Sequence, residues 1–265
     1  MSNVLEVKNL TMNFGGIRAL DSVSLEIGQN SIAALIGPNG AGKTTLFNCL
    51  TGIYTPTSGD VLVRSPQGNN RRINGMKINA ITELGLARTF QNIRLFGGMT
   101  VLENVMIGRH CRTKAGIAGA IFRPQSTRSE ENKIVDQSYS ILEYVGLSMY
   151  VDELARNLPY GACRRLEIAR ALACDPQLLL LDEPAAGMNP QETKELEGLI
   201  VRLWKERGLS ILLIEHDMKL VMNLAQNIFV LDYGVEIARG APQEITKNPA
   251  VIKAYLGVET DAEFN

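Results

Sequence analysis

Apolar and polar positions alternate near the start of the chain, and this pattern predicts β-strands. Residues 4–8 (VLEVK) and 23–27 (VSLEI) repeat with a period of two, which is typical of half-buried strands. The apolar run at 31–36 is typical of a strand buried on both faces. Residues 43–50 predict a helix that ends at glycine and proline turn signals. The polar stretch 65–77 predicts a hairpin or an exposed loop.

The middle of the chain predicts helices, and the α/β pattern returns after residue 175. Helical spacing of apolar positions occurs at 100–108, 128–145 and 164–174. Strands then alternate with helices, which indicates a largely parallel sheet. The predicted strands are 177–181, 210–214 and 228–231, and the predicted helices are 191–207 and 218–225.

These patterns predict an α/β core that is interrupted by a helical insert. The core comprises residues 1–99 and 176–257, and the insert comprises residues 100–175. The acidic tail, 258–265, is predicted to be frayed.

Composition narrows the function classes. The 265 residues suit one large domain or two lobes that share a core. A net charge of −1 gives no field that would favour nucleic acid or anionic lipid. Four cysteines without a CxxC pair, and only two histidines, argue against a zinc site. No signal sequence is recognisable, and no apolar run reaches the roughly 20 residues needed to span a bilayer, so we expect a protein that does not span a membrane alone.

The segment GPNGAGKTT fits a phosphate-binding loop. It follows a predicted strand and opens a predicted helix, which is the context that this loop requires. Glycines let backbone N–H groups face a phosphate, the lysine places a positive charge at the β- and γ-phosphates, and the following threonine hydroxyl can bind Mg²⁺. The predicted nucleotide-binding residues are Gly37, Pro38, Asn39, Gly40, Ala41, Gly42, Lys43, Thr44 and Thr45.

A second candidate element is an apolar strand that ends in two carboxylates. Residues 178–181 are four leucines, and Asp182 and Glu183 follow them. A buried strand delivers such carboxylates to the carboxyl edge of the sheet, beside the phosphate-binding loop. Asp182 is predicted to hold Mg²⁺ through water, and Glu183 to orient and activate the attacking water. A turn or a helix cap is the simpler alternative for an isolated acidic strand end.

The order of these motifs resembles the nucleotide-binding subunit of ABC transporters, over about residues 4–257. The resemblance implies a P-loop NTPase core with an antiparallel β subdomain and a helical insert subdomain. It implies that Phe14 stacks on adenine, although a core aromatic is the alternative. It implies that Gln91 reaches the metal and senses a membrane subunit, that His216 contacts the γ-phosphate, and that Lys43 and Glu183 serve catalysis.

The family's signature, Leu-Ser-Gly-Gly-Gln, aligns with Leu158, Pro159, Tyr160, Gly161 and Ala162. Pro159 replaces the serine that would face the γ-phosphate of a partner's ATP, and Ala162 replaces the glutamine. We therefore expect the signature to serve its site less strongly than the family form would. The loop at 186–189 also has asparagine where the family often has aspartate.

A sharper resemblance points to the branched-chain amino acid importer ATPases. It rests on RTFQNIRLF, MTVLEN, DEPAAGMNP, IEHDMKLVM and the C-terminal segment 240–257. It implies ATP and Mg²⁺, a second ATPase subunit of a different kind (a homodimer in isolation), two membrane permeases and, indirectly, a periplasmic binding protein. It also implies a peripheral position on the cytoplasmic face of the inner membrane, with no nucleic acid as partner.

The resemblance further implies a groove at 91–105 that receives a permease helix. Its apolar candidates are Ile93, Leu95, Phe96 and Met99, and packing between lobes is the alternative.

Other functions remain open. The same machine could carry urea, short amides or lipopolysaccharide. A soluble ABC ATPase acting on DNA or ribosomes is disfavoured, because the chain has one cassette, no heptad run and little net charge. A catalytically inactive binding module is disfavoured because Lys43, Asp182, Glu183 and His216 are all present.

Overall fold

The computed structural model describes residues 2–112 and 125–256. The strands found there form two sheets. The antiparallel sheet has the order β2–β1–β4–β5, in which the strands are β1 (Asn3–Phe14), β2 (Ile17–Gly28), β4 (Ser58–Arg64) and β5 (Asn70–Arg72). The other sheet has the order β10–β9–β3–β8–β7–β6 and is parallel except for β10. Its strands are β3 (Ile32–Ile36), β6 (Leu86–Arg88), β7 (Leu178–Asp182), β8 (Ser210–Ile214), β9 (Asn227–Asp232) and β10 (Val235–Gly240).

Helices pack on the parallel sheet, and they are the main elements between β6 and β7. They are α1 (Lys43–Leu50), α2 (Ile78–Glu83), α3 (Val101–Arg109), α4 (Gln125–Tyr144), α5 (Tyr160–Leu172), α6 (Pro190–Arg207), α7 (Met218–Leu224), α8 (Pro242–Ile245) and α9 (Pro249–Leu256). None of the helices in the described ranges is long and apolar enough to cross a membrane.

The strand β3 separates two hydrophobic clusters, since consecutive side chains of a strand point to opposite faces. Ile32, Ala34 and Ile36 pack into a cluster with the helices, whereas Ala33 and Leu35 pack into a second cluster with the antiparallel sheet. All five residues of β3 are buried, as the continuous apolar run predicts. The strand that leads into the phosphate-binding loop is therefore held from both sides.

The predicted insert packs on the same core. Side chains of α3, α4 and α5 join the cluster that contains Leu179 and Leu181 of β7. The helices α3 and α5 approach closely at Gly108, because a Cβ there would collide with the carbonyl oxygen of Arg170. The division of the chain at residues 99/100 and 175/176 remains a prediction.

Most of the predicted elements are present, and their ends differ by a few residues. The helix 43–50 and the strand 210–214 have the predicted bounds. The strand predicted at 31–36 begins at Ile32, and the helix predicted at 191–207 begins at Pro190. Residues 65–77 contain a turn and the short edge strand β5, as predicted for a hairpin. The frayed tail predicted at 258–265 lies outside the described residues.

Candidate functional site

Three buried strands of the parallel sheet end at one edge, where the predicted site residues follow them. The strand β3 leads into the phosphate-binding loop, β7 ends at Asp182, and β8 leads to His216. Because parallel strands present their carboxyl ends on the same side, this edge is where an α/β sheet binds ligands.

The phosphate-binding loop, residues 37–44, is fixed by close backbone contacts. A Cβ at Gly37 would collide with the carbonyl oxygen of Leu231, and one at Gly42 would lie 2.8 Å from the carbonyl oxygen of Ala19. Gly42 also has a φ of 100°, which favours glycine and places it as the N-cap of α1. The first-turn N–H groups of α1 have no side-chain cap, which leaves them available to an anion.

A turn after β9 supports this loop from outside. The backbone N–H of Gly234 donates to the carbonyl of Ala41 at 3.0 Å, and the N–H of Asp21 donates to the carbonyl of Gly234 at 2.8 Å. The loop is thereby connected to both sheets.

Lys43 lies at the end of the loop, as the first residue of α1, and its side chain is buried. Its Nζ donates to the carbonyls of Gly37 and Pro38, at 2.6 and 2.9 Å. Burial lowers the pKa of the Lys43 ammonium, and the nearby carboxylates of Glu183 and Asp182 oppose that shift. The loop cation and both strand-end carboxylates therefore share one electrostatic environment.

Glu183 lies between the two other polar side chains that the resemblance singled out. Its Oε2 accepts from Gln91 Nε2 at 2.7 Å, and its Oε1 lies 2.7 Å from His216 Nε2. Its backbone is in the left-handed region, with φ at 48°, and its N–H donates to the carbonyl of Ile214 on the neighbouring strand. A carboxylate held in this way presents a fixed acceptor, which suits the orientation of a water molecule.

Asp182 makes a different contact. Its Oδ2 accepts from Arg88 Nη2 at 2.6 Å, and both side chains are almost fully buried, with 5% and 6% of their areas exposed. The Arg88 guanidinium also donates to Asn48 Oδ1 at 2.8 Å and lies over the rings of Phe47 and Phe90. Arg88 was not among the residues predicted from the sequence, although it precedes Gln91 by three residues.

Among the described residues, two of the three predicted metal ligands are paired with other side chains. The side chain of Thr44 is exposed on α1, Asp182 pairs with Arg88, and Gln91 contacts Glu183. The hydroxyl and carboxylate oxygens of this set are the hard donors that Mg²⁺ prefers. The chemistry of the donors fits the ion, and the assignment of these ligands remains a prediction.

Glu215 is a buried carboxylate that the sequence analysis also missed. It accepts the N–H of Ala185 at 2.7 Å and that of His216 at 3.1 Å. Burial raises the pKa of the Glu215 carboxyl, the backbone amides oppose that shift, and the negative charge of Glu183 adds to it. Glu215 therefore ties the loop after Glu183 to the loop that carries His216.

The predicted signature opens α5. Pro159 is the N-cap, has no side-chain cap and is exposed, whereas Leu158 and Ala162 are buried. A Cβ at Gly161 would lie 2.6 Å from Glu192 Oε1, so this glycine lets α5 approach α6. The Tyr160 hydroxyl donates to the carbonyl of Ala186 at 2.7 Å. A weaker contribution of this signature to ATP binding remains a prediction.

The asparagine at position 189 has a structural role of its own. Asn189 Oδ1 accepts the N–H groups of Gln191 and Glu192, and Glu192 returns a bond to the N–H of Asn189. This is a capping box at the start of α6. Aspartate and asparagine cap helices about equally well, so this departure from the family form preserves the local structure.

Phe14 lies at the end of β1 with 40% of its area exposed, and its ring contacts that of Tyr54 edge-on, with centroids 5.1 Å apart. An exposed ring is compatible with stacking on a base, and the adenine contact remains a prediction.

Two models of known protein families match the sequence of this chain. The model described as "ABC transporter" matches residues 20–186, which is more than half of the chain. The chain belongs to the ABC transporter family. Its C-terminal residues 236–261 also match the ABC family model described as "Branched-chain amino acid ATP-binding cassette transporter".

Curated relatives within the ABC family are similar over almost their whole length. The LivG high-affinity branched-chain amino acid transport ATP-binding protein of Salmonella typhimurium is 47% identical over 96% of this chain and 98% of its own. The protein of the same name from Escherichia coli K12 is 46% identical, and BraF of Pseudomonas aeruginosa is 45% identical, with the same coverage. The predicted resemblance to this branch is confirmed.

Solved ABC cassettes share the fold. The ADP conformation of MJ1267, an ATP-binding cassette of an ABC transporter, matches with a TM-score of 0.83 and 31% identity, over 97% of this chain and all of that one. A nucleotide-free cassette from an ABC transporter matches with a TM-score of 0.82 and 30% identity, over 97% of this chain and all of that one. The predicted fold class and the prediction of a nucleotide-binding ABC ATPase are confirmed.

Proposed function

We propose that this chain is the ATP-hydrolysing subunit of an importer for branched-chain amino acids, and that Glu183 is its catalytic carboxylate. The observation that carries the proposal is the position of Glu183, between Gln91 and His216 at the edge of the sheet that also holds Lys43. The names of the relatives and the branch-specific match at 236–261 support the cargo.

Each residue of the site has a chemical role in this proposal. The backbone amides of residues 37–45 and Lys43 bind the β- and γ-phosphates of ATP. Glu183 accepts a proton from the attacking water, whose position it fixes. His216 and Gln91 keep the Glu183 carboxylate in place, and His216 reaches the γ-phosphate once ATP is bound.

Mg²⁺, when bound, would offset the negative charge of the phosphates. Thr44 Oγ1 and Asp182 would hold it, and Gln91 would reach it after leaving Glu183. Arg88 pairs with Asp182 and orients its carboxylate at the end of β7.

In the assembled importer, two ATPase subunits of different kinds would face each other, and the isolated chain would form a homodimer. Each ATP lies between the phosphate-binding loop of one subunit and the signature of the other. When the two ATPase subunits close on ATP, they move two permeases that are attached to them at the cytoplasmic face of the inner membrane. A periplasmic binding protein delivers the cargo from the other side.

A permease helix would dock in an apolar groove beside Gln91. The groove has a volume of about 350 Å³, and Ile53, Ile78, Ile107 and Cys111 are among its lining residues. The four apolar residues that the sequence analysis proposed for this contact do not line it; they are Ile93, Leu95, Phe96 and Met99. Leu95 packs against the core instead, and Phe96 lies under the guanidinium of Arg170.

ATP turnover in the assembled complex tests the proposal. The chain is co-purified with its permeases, reconstituted with the binding protein, and assayed with leucine, urea or acetamide as cargo. We expect leucine to stimulate hydrolysis and Glu183→Gln to lower kcat by about a hundredfold or more, as the loss of a general base does.

Glu143→Gln is the matched control, because it removes an exposed carboxylate from α4, away from the site. It should leave turnover unchanged. Stimulation by urea or acetamide but not by leucine would contradict the cargo, and normal turnover in Glu183→Gln would contradict the catalytic role.

A further inference from the structure

Tyr160 occupies the first position of α5 and contacts the loop that follows Glu183. Its hydroxyl donates to the carbonyl oxygen of Ala186 at 2.7 Å. A Cβ at Gly187 would lie 3.2–3.3 Å from the end of the tyrosine ring, so the loop passes directly against the ring. The family form of the signature has glycine at this position, which could make neither contact.

Arg164 extends the contact to the segment that carries Gln91. This arginine lies one turn after Tyr160 and is buried, with 3% of its area exposed. Its Nη2 donates to the Tyr160 hydroxyl at 3.1 Å and to the carbonyl of Gln91 at 2.6 Å, and its Nη1 donates to the carbonyl of Phe90 at 3.0 Å. One guanidinium therefore fixes both the tyrosine and the backbone on either side of the Phe90–Gln91 peptide.

These contacts close into a ring of hydrogen bonds around Glu183. The side-chain amide of Gln91 donates to Glu183 Oε2 at 2.7 Å, and the N–H of Ala186 donates to the carbonyl of Glu183 at 3.2 Å. The ring runs from Glu183 through Gln91, Arg164, Tyr160 and Ala186 and back to Glu183. We propose that Tyr160 is a positioning residue for Glu183, and that it couples the signature helix to the hydrolytic site of the same subunit.

The coupling has a direction because the N-terminal end of α5 is exposed, at Pro159 and Tyr160. In the proposed function, on which this inference rests, the N-terminus of α5 contacts the ATP bound by the partner subunit. A displacement of α5 moves Tyr160 and Arg164 together, and both hold backbone atoms adjacent to Glu183 or Gln91. Occupancy of the partner's site is thereby transmitted to Glu183 through side chains of this one chain.

The coupling through Tyr160 and Arg164 is called the relay below. The variant Tyr160→Phe tests it, because it keeps the aromatic ring and removes only the hydroxyl. In the assembled complex we expect kcat for ATP to fall about three- to tenfold, which corresponds to one lost hydrogen bond. The KM for ATP should stay within about twofold of the wild-type value, since the phosphate-binding loop is untouched. The Hill coefficient for ATP should fall towards 1.

Tyr139→Phe is the matched control, because Tyr139 is an exposed tyrosine on α4 whose hydroxyl makes no hydrogen bond in the described part of the chain. Hydrogen exchange at residues 184–189 gives a second measurement, which should accelerate in Tyr160→Phe and stay unchanged in Tyr139→Phe. Wild-type values of kcat, Hill coefficient and exchange in Tyr160→Phe would overturn the relay, as would equal losses in both variants. Normal turnover in Glu183→Gln would instead overturn the proposed catalytic role, so the two failures are distinguishable.

Discussion

At the scale of single residues, the buried ion pair of Arg88 and Asp182 sets the charge balance of the site. Asp182 lies at the carboxyl end of β7 with 5% of its side chain exposed, where an unpaired charge would be costly. The guanidinium 2.6 Å away stabilises the carboxylate, and two aromatic rings cover the guanidinium. Neither partner tolerates the loss of the other, because an unpaired charge would remain buried.

We expect Arg88→Met to lower the free energy of unfolding by about 3–5 kcal/mol, as the removal of one partner from a buried pair does. The double variant Arg88→Met/Asp182→Asn should recover most of that stability in urea titrations while remaining inactive, because the carboxylate is absent. Arg18→Met removes one partner of an exposed pair and should leave the urea midpoint unchanged. If Arg88→Met is as stable as the wild type, Asp182 does not depend on the Arg88 guanidinium for its stability in the fold.

Some site residues could be predicted from sequence and others could not, for a physical reason. Lys43, Glu183 and His216 follow strands within short motifs, so their local spacing already places them at the edge of the sheet. Arg88 meets Asp182 across 94 positions of sequence, through the pairing of β6 with β7. The register between two distant strands cannot be predicted from the sequence of either strand alone.

At the scale of elements, long or strongly patterned segments were predictable and short ones were not. Apolar runs in the sequence predict the buried strands β3, β7 and β8. The helix α1 is predicted by its position directly after the glycine-rich loop. The strand β6 has three residues and α2 has six, which is too short for a period to be visible. Their positions depend on tertiary contacts with β7 and with the end of α1.

The helix α6 offers a test at this scale, because its start depends on Asn189. We expect Asn189→Ala to lower the free energy of unfolding by about 0.5–2 kcal/mol, since two N–H groups lose their acceptor. Asn189→Asp should be as stable as the wild type, or slightly more stable, because a negative charge is favourable at a helix N-terminus. Urea titration of both variants decides the matter, and a destabilised Asn189→Asp would show that the amide nitrogen has a role the cap does not explain.

At the scale of the whole molecule, the groove beside α3 is the proposed docking site for a permease helix. The cysteines of the chain differ in how far they are buried. Cys49 is buried on α1, and burial raises the pKa of its thiol to about 12. Cys111 lies in the groove and is half-buried.

We expect maleimide at pH 8 to label Cys111 in the isolated chain and to label it much more slowly once the permeases are bound, because a docked helix would cover the groove. Cys49 should stay unlabelled in both cases, since its thiol is protonated far above this pH and is shielded from the reagent. Peptide mass spectrometry after labelling reads out each cysteine separately. Equal labelling of Cys111 with and without permeases would place the docking face elsewhere.

The turn at Gly234 has a consequence for exchanging parts between relatives. The segment that marks the transporter branch begins at residue 236, only two positions after the glycine that braces the phosphate-binding loop. A Cβ at Gly234 would lie 2.6 Å from the carbonyl oxygen of Ala19, and its φ is 79°. A chimaera that takes its C-terminal segment from another family member should therefore be joined beyond Gly234, so that the host supplies the brace and the donor supplies only the branch identity.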